Sequence, residues 1–334
     1  MQRSAALIVS IGLLLLPGVA PARAEDKKID PDQIGNRDVG KGLNLYSLEK
    51  EISLGKGMAA QLERDAPIVR DPEIAEYVNR IGQNLSRNSD VKVPVVVKVL
   101  NSAQVNAFAL PGGFVYVNTG VLLKANEEAE LAGVIAHELG HVAGRHGTRQ
   151  ASRGQVVNWA SLPLIFMGGW AGYAARQAAG LVVPMTFLKY SRDFEREADL
   201  LGLQYLAKAG YDPTAMVAFF ERIETMEKTK PGTAAEFFRS HPVISERIKK
   251  TQKNIDDLLA AQPQYIVTTS QFRVVKEKLE LAERTSKLKA NSDSGPTLRR
   301  RPADAIPAEG GAEAGGKTDD DERPTLRRRP GSEP

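Results

Sequence analysis

The feature that most constrains this chain is the segment from His137 to His146, which carries three of its four histidines. His137 and His141 are four residues apart, so on a helix they lie about 40° apart around the axis and face the same side. Their imidazole nitrogens can therefore bind one metal ion. Glu138 lies beside that site, where its carboxylate can reach a metal-bound water as a general base but is badly placed to be a ligand. The spacing predicts a helix that carries half of a metal site.

The residues around this motif bear on the helix and on the missing ligand. Acidic and then apolar residues from 127 to 136 favour a helix before His137. A catalytic zinc site needs a third protein ligand and an open position. His146 is one candidate, because Gly144 precedes it as a glycine precedes the third histidine of metzincins. Only Arg145 lies between them, where that pattern has two residues, and on a continuing helix His146 would point away from the metal. We predict that it has a structural role or supports a ligand.

Glu195 is the second candidate for the third ligand. It lies on a predicted helix from 189 to 210, and a carboxylate from a second helix would complete the two-histidine, one-glutamate set of the gluzincins. Asp199 lies one turn later on the same face, where it can accept a hydrogen bond from the non-ligating nitrogen of His137 or His141. The spacing fits equally well a solvated helix face on which acidic residues pair with neighbouring arginines.

The first 24 residues have the pattern of a secretory signal peptide. Arg3 is followed by an apolar run from 5 to 16, and Ala22-Arg23-Ala24 fits a cleavage site before Glu25. The apolar run is short for a membrane-spanning helix, so an uncleaved anchor is the weaker alternative. Residues 25–44 are polar and contain several glycines, which predicts a flexible lead-in.

Composition narrows the chemistry further. The chain has no cysteine, so zinc cannot be held by thiolates and export brings no disulfides. Removal of residues 1–24 lowers the number of basic residues from 45 to 43 against 41 acidic ones. This small excess gives no reason to predict a nucleic-acid partner.

Two short β-strands are predicted before the motif. Residues 91–100 are β-branched and apolar, and residues 114–117 alternate, so these strands flank the segment 106–113, which ends in a Pro-Gly-Gly turn. In zinc peptidases with this helix, an edge strand pairs with the extended substrate backbone. The candidate edge comprises Asn106, Ala107, Phe108 and Ala109. An interior hairpin without a substrate role is an equally good interpretation.

The segment that follows His146 is unlike the rest of the chain. Residues 154–175 contain no charged side chain and are numerous enough to cross a bilayer, but Pro163 and several glycines interrupt them. We predict that residues 154–186 form an apolar lid over the site or touch a membrane surface, in preference to a true span. The composition of residues 287–334, rich in glycine, proline, alanine and charged residues, predicts a disordered tail. The heptapeptide Pro-Thr-Leu-Arg-Arg-Arg-Pro occurs in it at 296–302 and again at 324–330.

Four motifs together resemble the CAAX-prenyl-protease, HtpX and BepA family of zinc metallopeptidases. They lie at 106–113, 137–141, 191–199 and 240–242, and the resemblance covers residues 45–285. It implies an α+β, mostly helical metallopeptidase domain of the gluzincin type over residues 45–286, with a small antiparallel or mixed sheet beside the zinc-binding helix. It also implies that His137, His141 and Glu195 bind one zinc ion per chain, that Glu138 is the catalytic base and that Asp199 supports a ligand.

The resemblance is strongest to the exported, BepA-like members, and it therefore implies a periplasmic location. In those members the histidine of a His-Pro motif can occupy the fourth zinc position. Here that residue is His241, which implies a latent, regulated enzyme. Arg247 is a candidate for polarising the scissile carbonyl or stabilising the oxyanion, although a surface ion pair with Glu246 explains it equally well.

The motifs and the resemblance together predict a periplasmic zinc metalloendopeptidase that acts on polypeptides. The resemblance alone implies that its substrates are unfolded or misassembled envelope proteins. Two alternatives stay open. The chain could be a zinc-dependent chaperone or assembly factor in which proteolysis is minor. It could also be a membrane-anchored protease, if residues 154–175 span the bilayer.

Overall fold

Helices surround a small sheet in the computed structural model, which describes residues 30–158, 190–242 and 245–293. This confirms the predicted α+β, mostly helical class. The strands are β1 (Val96–Leu100), β2 (Ala107–Leu110) and β3 (Phe114–Asn118). The first helices are α1 (Leu48–Asp65), α2 (Pro72–Arg87), α3 (Thr119–Lys124), α4 (Glu128–Ala143) and α5 (His146–Asn158). They are followed by α6 (Arg192–Lys208), α7 (Thr214–Thr229), α8 (Ala235–Ser240), α9 (Ser245–Leu258) and α10 (Ser270–Asp293).

The sheet is mixed, with strand order β1-β3-β2, so β2 is an edge strand of the sheet that the structure describes. β1 runs parallel to β3, whereas β2 and β3 form an antiparallel hairpin. Gly112 and Gly113 turn this hairpin with φ of 78° and 94°, which L-residues rarely adopt. β1 begins five residues later than the predicted start at 91, because Pro94 has no backbone N–H for a ladder.

The two faces of the sheet contact different helices, as alternation along a strand requires. Leu100, Phe108 and Tyr116 share a small core with Met58 of α1. Phe108 and Tyr116 are register partners, and their rings stack 5.4 Å apart. The opposite face joins the main core, to which every strand contributes valine or alanine side chains, together with α2 and α4.

The helix ends follow their sequence signals. The Ser47 hydroxyl accepts a hydrogen bond from the backbone N–H of Lys50 at the start of α1. Asp71 caps α2 in the same way, and Gly210 follows α6 with φ of 86°, a conformation that glycine adopts beyond many helix ends. The last helix, α10, extends to Asp293.

The lead-in differs from its prediction within residues 30–44. A short 3-10 helix (Pro31–Gln33) is followed by Arg37, whose side chain is buried. Its Nε lies 2.9 Å from Asp90 Oδ2, and its Nη2 lies 2.6 Å from Gln204 Oε1. This part of the segment is therefore attached to α6 and to the loop before β1, by contacts more than fifty residues away in sequence.

Several predictions concern residues that the structure does not describe. The signal peptide, most of the apolar segment and the repeated heptapeptides lie outside the described residues. The chain divides into two units, Met1–Ser286 and Lys287–Pro334. In the second unit, residues 287–293 are helical, which differs from the prediction of a tail disordered from 287 onwards. Among the described residues, no helix is long and apolar enough to cross a membrane.

Candidate metal centre

Helix α4 carries the histidine motif through the middle of the protein. All 16 of its residues are buried. His137 Nε2 and His141 Nε2 lie 3.1 Å apart, as the four-residue spacing on a helix predicts. The helix ends at Ala143, because Gly144 caps it and Arg145 adopts a left-handed conformation with φ of 53°.

Helix α6 lies very close to α4, and glycines make this possible. A Cβ atom on Gly140 would lie 2.7 Å from the carbonyl oxygen of Ala198. A Cβ atom on Gly202 would lie 2.8 Å from the backbone nitrogen of His137. These separations leave no room for a side chain, so the two backbones touch and the acidic residues of α6 reach the histidines of α4.

Glu195 lies in the position expected of the third ligand. Its Oε1 is 3.5 Å from His141 Nε2, and its Oε2 is 3.6 Å from His137 Nε2. The solvated helix face considered above is wrong for Glu195 and Asp199, because both side chains are buried. His137, His141 and Glu195 therefore come together from two helices.

Asp199 and Arg247 lie behind these groups. Asp199 Oδ1 is 3.0 Å from His137 Nδ1, the nitrogen that faces away from the cluster. Arg247 contacts both oxygens of Asp199, at 2.7 and 2.6 Å, and its Nη1 lies 2.8 Å from Glu195 Oε2. Such a carboxylate behind a histidine fixes its tautomer and ring orientation.

The surface ion pair considered for Arg247 is wrong, because this side chain is buried against Asp199 and Glu195. Nη1 also donates to the carbonyl of Pro242 at 2.8 Å. Each guanidinium nitrogen thus contacts a protein oxygen. This arrangement favours a positioning role for Arg247. Direct contact between Arg247 and a substrate carbonyl stays a prediction.

His241 completes the cluster from the end of α8. Its Nδ1 lies 3.3 Å from His137 Nε2 and 3.2 Å from Glu195 Oε1. Its Nε2 lies 3.4 Å from Glu138 Oε1. The preceding Ser240 is near the edge strand, with its hydroxyl 3.5 Å from Asn106 Oδ1. The imidazole of His241 therefore separates the candidate ligands from Glu138.

The electrostatics of the cluster suit a cation. Burial opposes ionisation of Glu195, but His241 and His137 outweigh it and hold the pKa of this carboxyl well below its ordinary value. Burial holds the pKa of His141 well below its ordinary value, so its ring is neutral. Burial would also lower the pKa of His137, but Asp199 and Glu195 raise it to about 9. One anionic oxygen thus faces imidazole nitrogens at the centre of the protein.

Glu138 is the most isolated of these groups. Its side chain is fully buried, and burial raises the pKa of its carboxyl above the ordinary value. Among the described residues, neither carboxylate oxygen has a hydrogen-bond partner of good geometry. A buried carboxylate in this state is costly unless something else pairs with it, so Glu138 points to a missing ligand or water.

The donor atoms fit a metal ion. One atom each from His137, His141, Glu195 and His241 lie within 4.8 Å of one another, and all four residues are buried. Tetrahedral zinc with nitrogen and oxygen ligands at about 2.0–2.1 Å requires ligand atoms about 3.3 Å apart. Five of the distances between donor atoms in this cluster lie between 3.1 and 3.6 Å. Three nitrogens and one carboxylate favour zinc over magnesium or calcium, which prefer oxygen.

The predicted substrate edge lies beside Glu138. β2 contains Ala107, Phe108 and Ala109, and Asn106 directly precedes it. Burial raises the pKa of the Glu138 carboxyl, and the backbone N–H of Ala109 is among the groups that oppose this rise, which places β2 near Glu138. β2 is at an edge of the described sheet, as a substrate-binding edge requires, but all four of its residues are buried. Its role in substrate binding therefore stays a prediction.

Sequence reasoning missed Tyr190. Its ring stacks on His141 at 3.9 Å, and its hydroxyl lies 3.5 Å from the carbonyl oxygen of Ala109. It follows directly after the apolar segment, and no spacing rule connects it to the motif. His146 is absent from the ligand cluster, as predicted, but it contacts His141 from behind.

Comparisons with known proteins agree with this geometry. The model of peptidase family M48 matches residues 72–255. The beta-barrel assembly-enhancing protease of Yersinia pestis is 29% identical over 256 residues, which cover 73% of this chain and 52% of the relative. The protein of that name from Escherichia coli strain K12 is 28% identical over 278 residues, covering 80% and 55%. The chain thus spans about half the length of these curated relatives.

A shorter relative is covered more fully. Metalloprotease YcaL of Escherichia coli strain K12 is 28% identical over 229 residues, which cover 66% of this chain and 87% of the relative. The family match includes α4 with His137 and His141, α6 with Glu195, and the segment with His241. It confirms the resemblance drawn from the four motifs. Because the match covers more than half of the chain, this protein belongs to peptidase family M48.

Proposed function

We propose that this chain is a zinc endopeptidase that is exported to the periplasm and cleaves unfolded or misassembled envelope proteins. The observation that carries the proposal is the pairing of Glu138 with the four-donor cluster. Glu138 is buried, lacks a well-placed hydrogen-bond partner among the described residues and lies next to candidate ligands at zinc-like separations. A purely structural site would have no reason to bury a carboxylate in this way.

His137, His141 and Glu195 would hold the ion, and His241 is the candidate fourth ligand. Zinc, when bound, polarises a peptide carbonyl and makes a water molecule more acidic. Glu138 would take the proton of the attacking water on a carboxylate oxygen and pass it to the leaving amine nitrogen. The raised pKa of Glu138 suits both steps, since the group must gain and lose a proton near neutral pH.

The edge strand is the proposed binding surface for the substrate. An extended peptide could pair with β2 through main-chain hydrogen bonds and thereby place a peptide bond next to Glu138. Ala109 supports this position, because its backbone N–H is close enough to Glu138 to lower the pKa of that carboxyl against the effect of burial. Recognition through the backbone suits unfolded polypeptides, whose sequences vary.

The proposed location and substrates rest on the pattern of the first residues and on the names of two relatives. The pattern of residues 1–24 favours export. Two relatives are named beta-barrel assembly-enhancing proteases, which supports substrates among proteins that assemble in the envelope. Contact of residues 154–175 with a membrane surface, and the absence of a nucleic-acid partner, stay predictions.

His241 suggests that the resting enzyme is latent. Its imidazole lies between the candidate ligands and Glu138, in the space that a water molecule would need. We expect His241→Ala to increase casein cleavage several-fold while the zinc content stays at one ion per chain. Unchanged or lower activity in a zinc-loaded variant would count against latency.

The catalytic proposal is tested with Glu138→Gln in the full chain. The variant should bind zinc as the wild type does but lose casein cleavage by at least about 1000-fold, because the amide cannot accept the proton. Glu127→Gln is the matched control: this residue directly precedes α4, and its side chain makes no capping hydrogen bond. Retained proteolysis in Glu138→Gln would refute the mechanism. A zinc-binding wild type that never cleaves but prevents aggregation would favour the chaperone alternative.

A further inference from the structure

His146 contacts His141 on the side away from the candidate metal ligands, which its spacing in the sequence does not predict. Its side chain is fully buried, and its Nδ1 lies 2.8 Å from His141 Nδ1. That nitrogen of His141 is the one that faces away from the ligand cluster, because Nε2 is the atom near His137 and Glu195. The other ring nitrogen of His146, Nε2, lies 3.3 Å from Glu197 Oε2.

We propose that His146 and Glu197 act together as positioning residues that hold His141 in the one tautomer able to bind a metal ion. This inference rests on the zinc site of the proposed function. It assigns a role to two side chains that neither bind the metal nor reach the substrate. It also explains why a third histidine follows the motif without being a ligand.

The positions of the protons follow from the contacts. If His141 Nε2 offers its lone pair to a metal, the ring proton must be on Nδ1, and that N–H can only donate. His146 Nδ1 must then accept it, so the proton of a neutral His146 must be on Nε2. Among the described residues that nitrogen has no hydrogen bond of good geometry, but Glu197 Oε2 lies 3.3 Å from it and can accept its proton. A carboxylate can only accept a hydrogen bond. Glu197 therefore fixes the direction of both contacts: His146 Nε2–H donates to Glu197, and His141 Nδ1–H donates to His146 Nδ1.

The reverse arrangement would block the site. With a proton on His146 Nδ1, that group would donate to His141 and move the proton of His141 to Nε2. An N–H would then face His137 and Glu195 where a lone pair is needed. The carboxylate of Glu197 disfavours this arrangement, because it would leave two acceptors facing each other, His146 Nε2 and Glu197 Oε2.

The chain around His146 holds its ring in this place. A Cβ atom on Gly144 would lie 2.3 Å from His146 Nε2, so only glycine leaves room for the imidazole. Phe194 stacks on the ring at 4.4 Å, nearly parallel. Arg149 lies 3.3 Å from Glu197 Oε2 and donates to the carbonyl of Gly144 at 2.9 Å, which holds the carboxylate next to the turn.

His137, the other candidate ligand on α4, is also supported by a carboxylate, but without a histidine between them. Asp199 contacts His137 Nδ1 directly, at 3.0 Å, and so fixes the tautomer of that ligand. Glu197 is two residues earlier on α6 and reaches His141 through the ring of His146. Each of the two ligands on α4 is thus supported by one carboxylate from α6.

The first test measures the proton positions in the wild type. Zinc-loaded full-length protein with ¹⁵N-labelled histidine should show His146 as the neutral Nε2–H tautomer by NMR. A Nδ1–H tautomer of His146 would overturn the proposal. Failure of the wild type to bind zinc at all would instead contradict the proposed function.

The second test measures zinc affinity by competition with a chromophoric chelator. His146→Phe fills the space but cannot accept a hydrogen bond, and zinc should bind about 10–100-fold more weakly. His146→Asn places an amide oxygen near the position of Nδ1 and should restore the affinity to within about threefold of the wild type. Glu197→Leu should weaken binding about tenfold.

The control is Ser152→Ala, another buried polar residue on α5, whose hydroxyl contacts the Leu45 backbone instead of the site. Its zinc affinity should be unchanged. If His146→Phe does not fold, His146→Asn, Glu197→Leu and the NMR measurement decide the question. Wild-type zinc affinity in folded His146→Phe or in Glu197→Leu would overturn the proposal.

Discussion

The contact between α4 and α6 gives a direct test of how the site is built. Gly202→Ala adds one methyl group where the two helices touch, and its Cβ would lie 2.8 Å from the backbone nitrogen of His137 and 2.9 Å from the carbonyl of Ala136. Both neighbours are backbone atoms inside a buried helix, so neither can rotate away. The helices must separate locally.

The size of that separation decides the effect on the metal site. Comfortable contacts between heavy atoms begin at about 3.5 Å, so α6 must move by roughly 0.7 Å near Gly202. Metal–ligand distances tolerate only about 0.2 Å. Asp199 lies one turn before Gly202 and Glu195 two turns before it, so both carboxylates would shift with the helix. We expect zinc affinity to fall about 10–100-fold.

Stability should also fall, although two effects oppose each other. Overpacking of a buried contact costs about 1–3 kcal/mol, whereas alanine in place of glycine favours a helix by about 0.5–1 kcal/mol. The net loss of about 1–2 kcal/mol corresponds to a melting temperature lower by about 2–8 °C for a domain of this size.

Circular dichroism with a chelator present measures this change separately from metal binding, and chelator competition gives the zinc affinity. Gly147→Ala is the control, because its Cβ would meet only the ring of Pro111 at 3.3 Å. It should be neutral or slightly stabilising. If Gly202→Ala melts at or above the wild-type temperature and binds zinc equally well, the helices are not held together as the distances indicate.

Two further predictions concern ionised side chains. The pKa of Glu63 is lowered: burial would raise it, but hydrogen bonds from Lys98 and Tyr116 outweigh burial. This contribution is fully present above the ordinary pKa of about 4.3 and is lost as the pH falls through the lower pKa of the folded state. Glu63→Gln should therefore lower the free energy of unfolding by about 1 kcal/mol at pH 7 in urea titrations, and this difference should shrink as the pH falls below about 4. A difference that stays constant in acid would contradict this. Arg247→Lys keeps the charge but cannot contact both oxygens of Asp199 and Glu195 together, and we expect zinc to bind about tenfold more weakly. Unchanged zinc affinity with a lower kcat would instead favour contact between Arg247 and the substrate.

The parts of the fold that the sequence predicts well are those fixed by local chemistry. Ser47 and Asp71 cap helices because their side-chain oxygens accept from N–H groups two or three residues away. His137 and His141 meet because a helix repeats every 3.6 residues. These contacts depend on neighbours within one turn, so spacing alone identifies them.

Contacts between distant segments are harder to predict. Nothing near Arg37 indicates that Asp90 will bury it, so the segment around it resembles a flexible lead-in. The contacts of Glu195 are equally hard to predict, because its spacing also fits a solvated helix face. Its burial depends on Gly140 and Gly202, whose missing side chains let α4 and α6 touch. The family resemblance implies that Glu195 is a metal ligand, whereas periodicity does not distinguish a ligand from a solvated residue.

His146 shows how a distant contact can reverse a local argument. On a continuing helix its ring would point away from the metal, yet the helix stops because Arg145 adopts φ of 53°. A left-handed conformation costs a non-glycine residue about 1–2 kcal/mol, so an isolated peptide would avoid it. Glu51, on α1, lies 2.7 Å from Arg145 Nε, and the carbonyl of Tyr46 accepts from its Nη2 at 2.7 Å. These largely buried, charge-assisted contacts can offset that cost. The position of His146 behind His141 therefore depends on Glu51, which lies 94 positions before Arg145 in the chain, and the motif itself gives no information about that contact.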